Sequence, residues 1–131
     1  MSGLKATVGK MAIRGKRIHA GLSGFCPVYH RAVELVGRRW TGAIIRALCG
    51  GPQRFNELLA TIPGLSDRLL AERLRELDRE GIVRRTVSAG PPVRVEYALT
   101  ERGAELEPAI RAIAEWAERW LPPRKAHRPR G

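Results

Sequence analysis

The sequence predicts a mainly α fold carrying one small β-hairpin, and three observations lead there. Between Arg54 and Gly81 two short helical patterns are split by Pro63-Gly64-Leu65. Phe55, Leu58, Leu59 and Ile62 share one face of the first, and Leu70, Leu74 and Leu77 share one face of the second. After Gly81 the apolar period changes from helical to two, with the turn cluster Ser88-Ala89-Gly90-Pro91-Pro92 between the two runs. A further stripe of Leu106, Ile110, Ile113, Ala117 and Trp120 advances in alternating steps of four and three, a heptad seam. Two amphipathic helices joined by a tight turn make a helix-turn-helix. A hairpin placed directly after it is a wing, so the order of parts specifies a winged helix-turn-helix.

Taken in order, residues 1–24 hold Lys5, Lys10, Arg14, Lys16 and Arg17, no acid and only weak periodicity, which predicts a basic flexible arm. The folded part is expected over residues 25–121. Its first helix starts at Cys26-Pro27, because proline is favoured at the first helical position, and it carries Val28, Ala32, Leu35 and Val36 up to Gly37. Arg38 and Arg39 stand at the entrance of a second helix, with Trp40, Ile44, Ile45 and Leu48 on one face and Gly50-Gly51-Pro52 at its end. Ser66 is a good N-cap for the second helix of the helix-turn-helix, since its hydroxyl can accept from an unpaired backbone N–H.

In the hairpin, Val83 and Val87 face one side and Arg84 and Thr86 the other. Val93, Val95, Tyr97 and Leu99 alternate with Arg94, Glu96 and Ala98. Two strands are marginal alone and must pack on the helices. Thr100 is expected to cap a last helix running to about Leu121, with Pro108 kinking it or marking its first turn, and Pro122-Pro123 stopping it. A terminal helix this apolar needs a surface to cover. It can fold back on its own domain or meet a second copy. The symmetric dimer is favoured, because the first helix offers a second apolar surface. The dimer interface is expected to use Val28, Leu106, Ile110, Ile113, Trp116 and Trp120, drawn from the N- and C-terminal helices. Residues 122–131 form a basic tail.

Composition narrows the function. A net charge of +11 favours a polyanionic partner, although much of the excess sits on the two ends. Cys26 and Cys49 form no CxxC and have no ligand spacing with the histidines, so neither a zinc site nor a disulfide framework is expected. No apolar run reaches the length of a membrane span, and no secretory signal opens the chain, so a soluble cytoplasmic protein is expected. Paired carboxylates in a plausible pocket, a nucleophile motif and a Gly-rich phosphate loop are all lacking, which argues against an enzyme or a bound cofactor.

On the second helix of the helix-turn-helix, Arg68, Glu72, Arg75 and Arg79 lie opposite the leucines. Leucines inward and arginines outward is the form that enters a DNA major groove. A solvated face of a plain αα-hairpin is the other reading, and the wing shifts the balance away from it. Ser66, Arg68, Glu72, Arg73 and Arg75 are expected to face double-stranded DNA, with Arg68 the candidate for guanine readout. Arg73 lies nearer the core edge, where it could instead form a structural ion pair with a neighbouring helix. Arg54, Arg84 and Arg94 are the expected phosphate contacts. The competing function is a winged-helix module that binds protein without specific DNA binding.

Cys26 has two readings. At a helix start, unpaired N–H groups and the positive dipole end favour the reactive thiolate, with His30 four residues on. Alternatively it is a small packing residue, the reading given to Cys49 on its apolar helix.

With these residues in place, the chain resembles the HxlR-type family of bacterial winged-helix transcription regulators, relatives of the MarR group. The matching pieces are Cys26-Pro27-Val28, Gly37-Arg38-Arg39-Trp40-Thr41, Arg54-Phe55-Asn56-Glu57-Leu58, Pro63-Gly64-Leu65-Ser66, Leu70, Arg73-Leu74-Arg75-Glu76-Leu77, Gly81-Ile82-Val83, Pro92 to Thr100, Gly103 and Trp116. They cover residues 26 to about 121, and Arg38 departs from the glycine more usual there. The resemblance implies a homodimeric, sequence-specific regulator on a palindromic operator, with repression the expected outcome. It implies that the segment from Ser66 enters the major groove and that the wing follows the backbone or minor groove. It also implies that some members sense oxidants or electrophiles through the thiol matching Cys26, while others respond to different signals or have none known, so an oxidant or small molecule is one candidate effector and the family alone does not settle it.

Overall fold

A computed structural model describes residues 24–124. The expected arm, apart from Gly24, and the tail beyond Arg124 lie outside them. The described residues divide between Arg38 and Arg39 into two compact units. The first holds helix α1, Pro27–Val36, with Cys26 as an extended N-cap, proline in the first turn and Gly37 as C-cap. No residue of α1 is buried.

The second unit begins with α2, Thr41–Leu48, then β1, Gln53–Arg54, and α3, Phe55–Thr61. Helix α4, Asp67–Arg79, completes the helix-turn-helix. The wing is β2, Val83–Ser88, and β3, Arg94–Leu99. Helix α5, Glu101–Ala104, and α6, Glu107–Trp120, follow. The core is the one the stripes foretell: Ile44, Ile45 and Leu48 of α2, Leu58 of α3, and Leu70, Leu74 and Leu77 of α4 are each at most 2% exposed. Ile62, Leu65, Ile82 and Val83 close it.

Four details differ from the sequence expectation. The sheet has three strands, ordered β1-β3-β2 and antiparallel throughout, because Gln53 and Arg54 pair with Tyr97 and Glu96. A two-residue polar strand has no apolar alternation to betray it. The last helix is broken. Thr100 caps only α5, accepting from the Gly103 N–H at 3.1 Å, and α6 starts afresh with Pro108 in its first turn. Proline lacks the N–H to continue α5 and its ring would meet the carbonyl four residues back, so the chain must leave the helix before it. Cys49 is exposed rather than packed, since α2 ends at Leu48 and leaves it past the last turn. The wing's apolar side also fades toward its tip: Val83 is buried, but Val87 is half exposed.

One glycine is fixed by close approach. A Cβ at Gly103 would stand 2.2 Å from the carbonyl oxygen of Ile82, inside any contact distance, so only glycine lets α5 lie against the start of β2. Thr100 seals the same corner. Its hydroxyl donates to the Gly81 carbonyl at 2.5 Å, and its N–H donates to the Ile82 carbonyl at 3.0 Å.

Candidate nucleic-acid interface

Helix α4 is held at both ends and along one side. The Ser66 hydroxyl accepts from the Leu69 N–H at 3.1 Å, Asp67 sits in the positive first turn and Arg79 in the negative last one. The three buried leucines fix its roll about its own axis. With that roll fixed, Arg68, Glu72, Arg75 and Arg79 are all exposed on the opposite side. Thirteen residues make a rod of about 20 Å, long enough to lie along a groove.

Arg73 is different. Its side chain is 12% exposed; Nη1 lies 3.3 Å from Glu76 Oε2 and 3.7 Å from Glu72 Oε1, and Nε donates to the Arg39 carbonyl at 3.0 Å. Its guanidinium is thus enclosed and bonded toward the core side, unlike the exposed Arg68, Arg75 and Arg79. Its ion pairs are made on its own helix rather than with a neighbouring one. The planar fork of arginine suits this double duty, since Nε and Nη1 serve different partners.

The expected phosphate contacts come together through the sheet register. Directly opposed residues of an antiparallel pair put their side chains on the same face. Arg84 opposes Ala98, Thr86 opposes Glu96 and Ser88 opposes Arg94. Arg54 opposes Glu96 from the other side. Arg54, Arg84 and Arg94 therefore share one sheet face, opposite the face that carries buried Val83. All three are exposed. Arg54 is also fixed as the N-cap of α3, where its N–H donates to Glu57 Oε1 at 2.7 Å.

The expected dimer residues are largely uncovered within one chain. Ile113, Trp116 and Trp120 of α6 and Leu121, its C-cap, are 51–67% exposed, and Val28 of α1 is 69% exposed. Leu106 and Ile110 are half-buried.

The two thiols sit in different settings. Cys26 Sγ accepts from the Tyr29 N–H at 3.4 Å, so the sulfur does stand at the N-terminus of α1. The His30 ring lies 5.4 Å from that of Phe25. Cys49 lines a groove of about 420 Å³ with Arg46, Glu107, Ile110 and Arg111. Partial burial and the Glu107 carboxylate push its thiol up, against the opposing pull of Arg46 and Arg111. That environment disfavours the Cys49 thiolate, the reactive form.

One cation that sequence reasoning passed over is Arg39. Its guanidinium carbon lies 5.2 Å from the centroid of the Trp40 ring. The signal available was its place beside a tryptophan at a helix entrance, and nothing in periodicity says which way such a residue points.

The sequence model of the HxlR-like helix-turn-helix family matches residues 35–125. The HTH-type transcriptional regulator YvaP of Bacillus subtilis is 45% identical over 101 residues, which cover 77% of this chain and 94% of YvaP. The reduced form of the transcriptional regulator YodB from B. subtilis superposes with a TM-score of 0.69 at 42% identity, covering 78% of this chain and all of that one. YodB has also been solved diamide-treated and quinone-bound. The redox regulator HypR in its reduced form superposes with a TM-score of 0.67 at 38% identity, covering 72% of this chain and 92% of HypR.

Proposed function

The chain belongs to the HxlR-like helix-turn-helix family, and from that premise we propose that it is a homodimeric, sequence-specific DNA-binding repressor. The observation that carries the reading is the outward cationic side of α4, held in fixed roll by three buried leucines. In this reading Arg68 and Arg75 meet base edges in the major groove, Glu72 shapes the choice of base, and Ser66 sets the helix start. The sheet face of Arg54, Arg84 and Arg94 follows the phosphates. Arg73 serves by bracing Glu72 and Glu76. The protein acts in the cytoplasm as a pair of chains on a palindromic operator. The exposed stripe of α6 supplies the dimer seam, with Val28 of α1 contributing.

Cys26 makes this repressor responsive to oxidants or electrophiles. Its N-cap position supports that reading, as do the quinone-bound and diamide-treated forms of YodB and the reduced and oxidised forms of HypR. The thiolate adds to a quinone ring carbon and the ring takes up the proton as a hydroquinone thioether; with diamide, two thiols join as a disulfide and diamide is reduced to the hydrazine.

The deciding experiment is a fluorescence-anisotropy titration of the chain's own upstream DNA against a scrambled duplex. Specific, salt-dependent binding is the expected result. Equal affinity for both duplexes would return the reading to a protein-interaction module. Repeating the titration with diamide or a quinone, in wild type and Cys26→Ser, tests the switch. Wild-type affinity unchanged while mass spectrometry finds Cys26 modified would end it.

A further inference from the structure

We infer that Arg39 is a further DNA contact, a phosphate clamp at the lip of the major groove that belongs to neither the helix-turn-helix nor the wing. The inference rests on the DNA-binding reading above and adds a residue to it. Arg39 is exposed in the turn that leads into α2. Among the described residues no carboxylate forms an ion pair with it. Its guanidinium lies against the indole face of Trp40, which limits where it can swing.

The turn itself is gripped from two sides by the DNA-reading motif. The Arg39 carbonyl accepts from Nε of Arg73, a residue of α4. The Trp40 ring packs on the turn between α3 and α4, where a Cβ added to Gly64 would stand 3.3 Å from its Cη2. Trp40 has φ 77, a left-handed backbone that bulky residues rarely adopt. Such a conformation persists only where the surroundings over-determine it, and here the two grips do so. Arg39 is therefore fixed relative to α4 by α4 itself and by the turn before it.

Helix geometry says where that held turn stands. At about 100° per residue, Arg73 leaves α4 about 120° from the middle of the Arg68–Glu72–Arg79 side, past the helix flank and toward the core edge. The major groove is about 12 Å wide and a helix with its side chains about 10–12 Å across, so a helix lying in the groove fills it. A group held there, beyond the flank, stands at the lip of the groove beside the phosphates rather than over the bases. Arginine suits that place, because its fork matches phosphate oxygens. The start of α2 adds to the field: Trp40 makes no side-chain cap bond, so the first N–H groups of α2 and its positive dipole end lie next to Arg39.

The test measures anisotropy of a labelled duplex of the chain's own upstream sequence, and of a scrambled duplex, across a salt series. Arg39→Gln should weaken both complexes by a similar factor and lower the salt slope by about one unit. Arg39→Lys should restore the slope. Arg73→Lys keeps its charge but loses the Nε bond to the turn. It should lower the slope in the wild-type background and leave it unchanged in the Arg39→Gln background, which marks Arg73 as a positioning residue acting through Arg39. If wild type binds with salt dependence and Arg39→Gln keeps the wild-type slope, the clamp is wrong and the DNA-binding reading stands. If wild type shows no salt-dependent binding, the DNA-binding reading falls and takes the clamp with it.

Discussion

Helices α4 and α6 are near equals in length, 13 and 14 residues, and both carry a strong apolar stripe. Their stripes meet opposite fates. Leu70, Leu74 and Leu77 of α4 are at most 2% exposed, whereas Ile113, Trp116 and Trp120 of α6 are 61%, 51% and 67% exposed. Periodicity reports that a helix has a face to cover; it does not report what covers it. For α4 the cover is its own chain, and the consequence is a fixed roll that presents one cationic side. For α6 most of the cover is missing among the described residues, and the proposed second copy supplies it.

The sharpest way to probe that contrast is to damage each stripe and read stability and assembly separately. Leu74→Ala should have the largest effect on folding, about 2–5 kcal/mol in urea unfolding, because it opens a cavity in a closed core. A loss within the range of a surface substitution would show that α4 is not the keystone of the core. Ile113→Asp should do the reverse: little change in the stability of the single chain, but a dimer weakened by on the order of 3 kcal/mol, roughly a hundredfold in dissociation constant. Analytical ultracentrifugation reads this directly, and an intact dimer at micromolar concentration would place the seam elsewhere. Arg68→Ala tests what the fixed roll achieves. Operator affinity should drop by about 1–3 kcal/mol and selectivity relax at one base pair, with the melting temperature unmoved. The smallest effect belongs to Ser66→Ala, about 1 kcal/mol of stability from the lost cap of α4. An unchanged unfolding midpoint would mean that Asp67 and the leucines alone define the helix start.

The parts that were legible in the sequence are those where one local rule had no competitor. Ser66 before a leucine stripe gives a capped helix, and the switch to alternation after Gly81 gives a wing. The illegible parts needed tertiary knowledge. β1 is two polar residues that become a strand only because β3 offers a free edge. The break between α5 and α6 needed the choice between the two readings of Pro108, kink or first turn, and the close approach of Gly103 to Ile82 helped decide it. Arg73 carries the same charge as Arg68 and Arg75 and sits on the same helix, yet it bonds to a carbonyl 34 residues away and is mostly enclosed. No spacing rule encodes such a bond. Cys49 shows the same limit at a helix end, where one residue of boundary turns a packing group into an exposed thiol.

The corner at Thr100 has a mechanical consequence. β3 ends at Leu99 and α5 begins at Glu101, so a single residue joins wing to terminal helices. That residue is pinned on both sides: its hydroxyl grips the backbone just after α4 and also receives the first turn of α5. A loop at this place would act as a spring and absorb movement. This joint has no slack, so a tilt of α5 is delivered to the foot of α4 as torque.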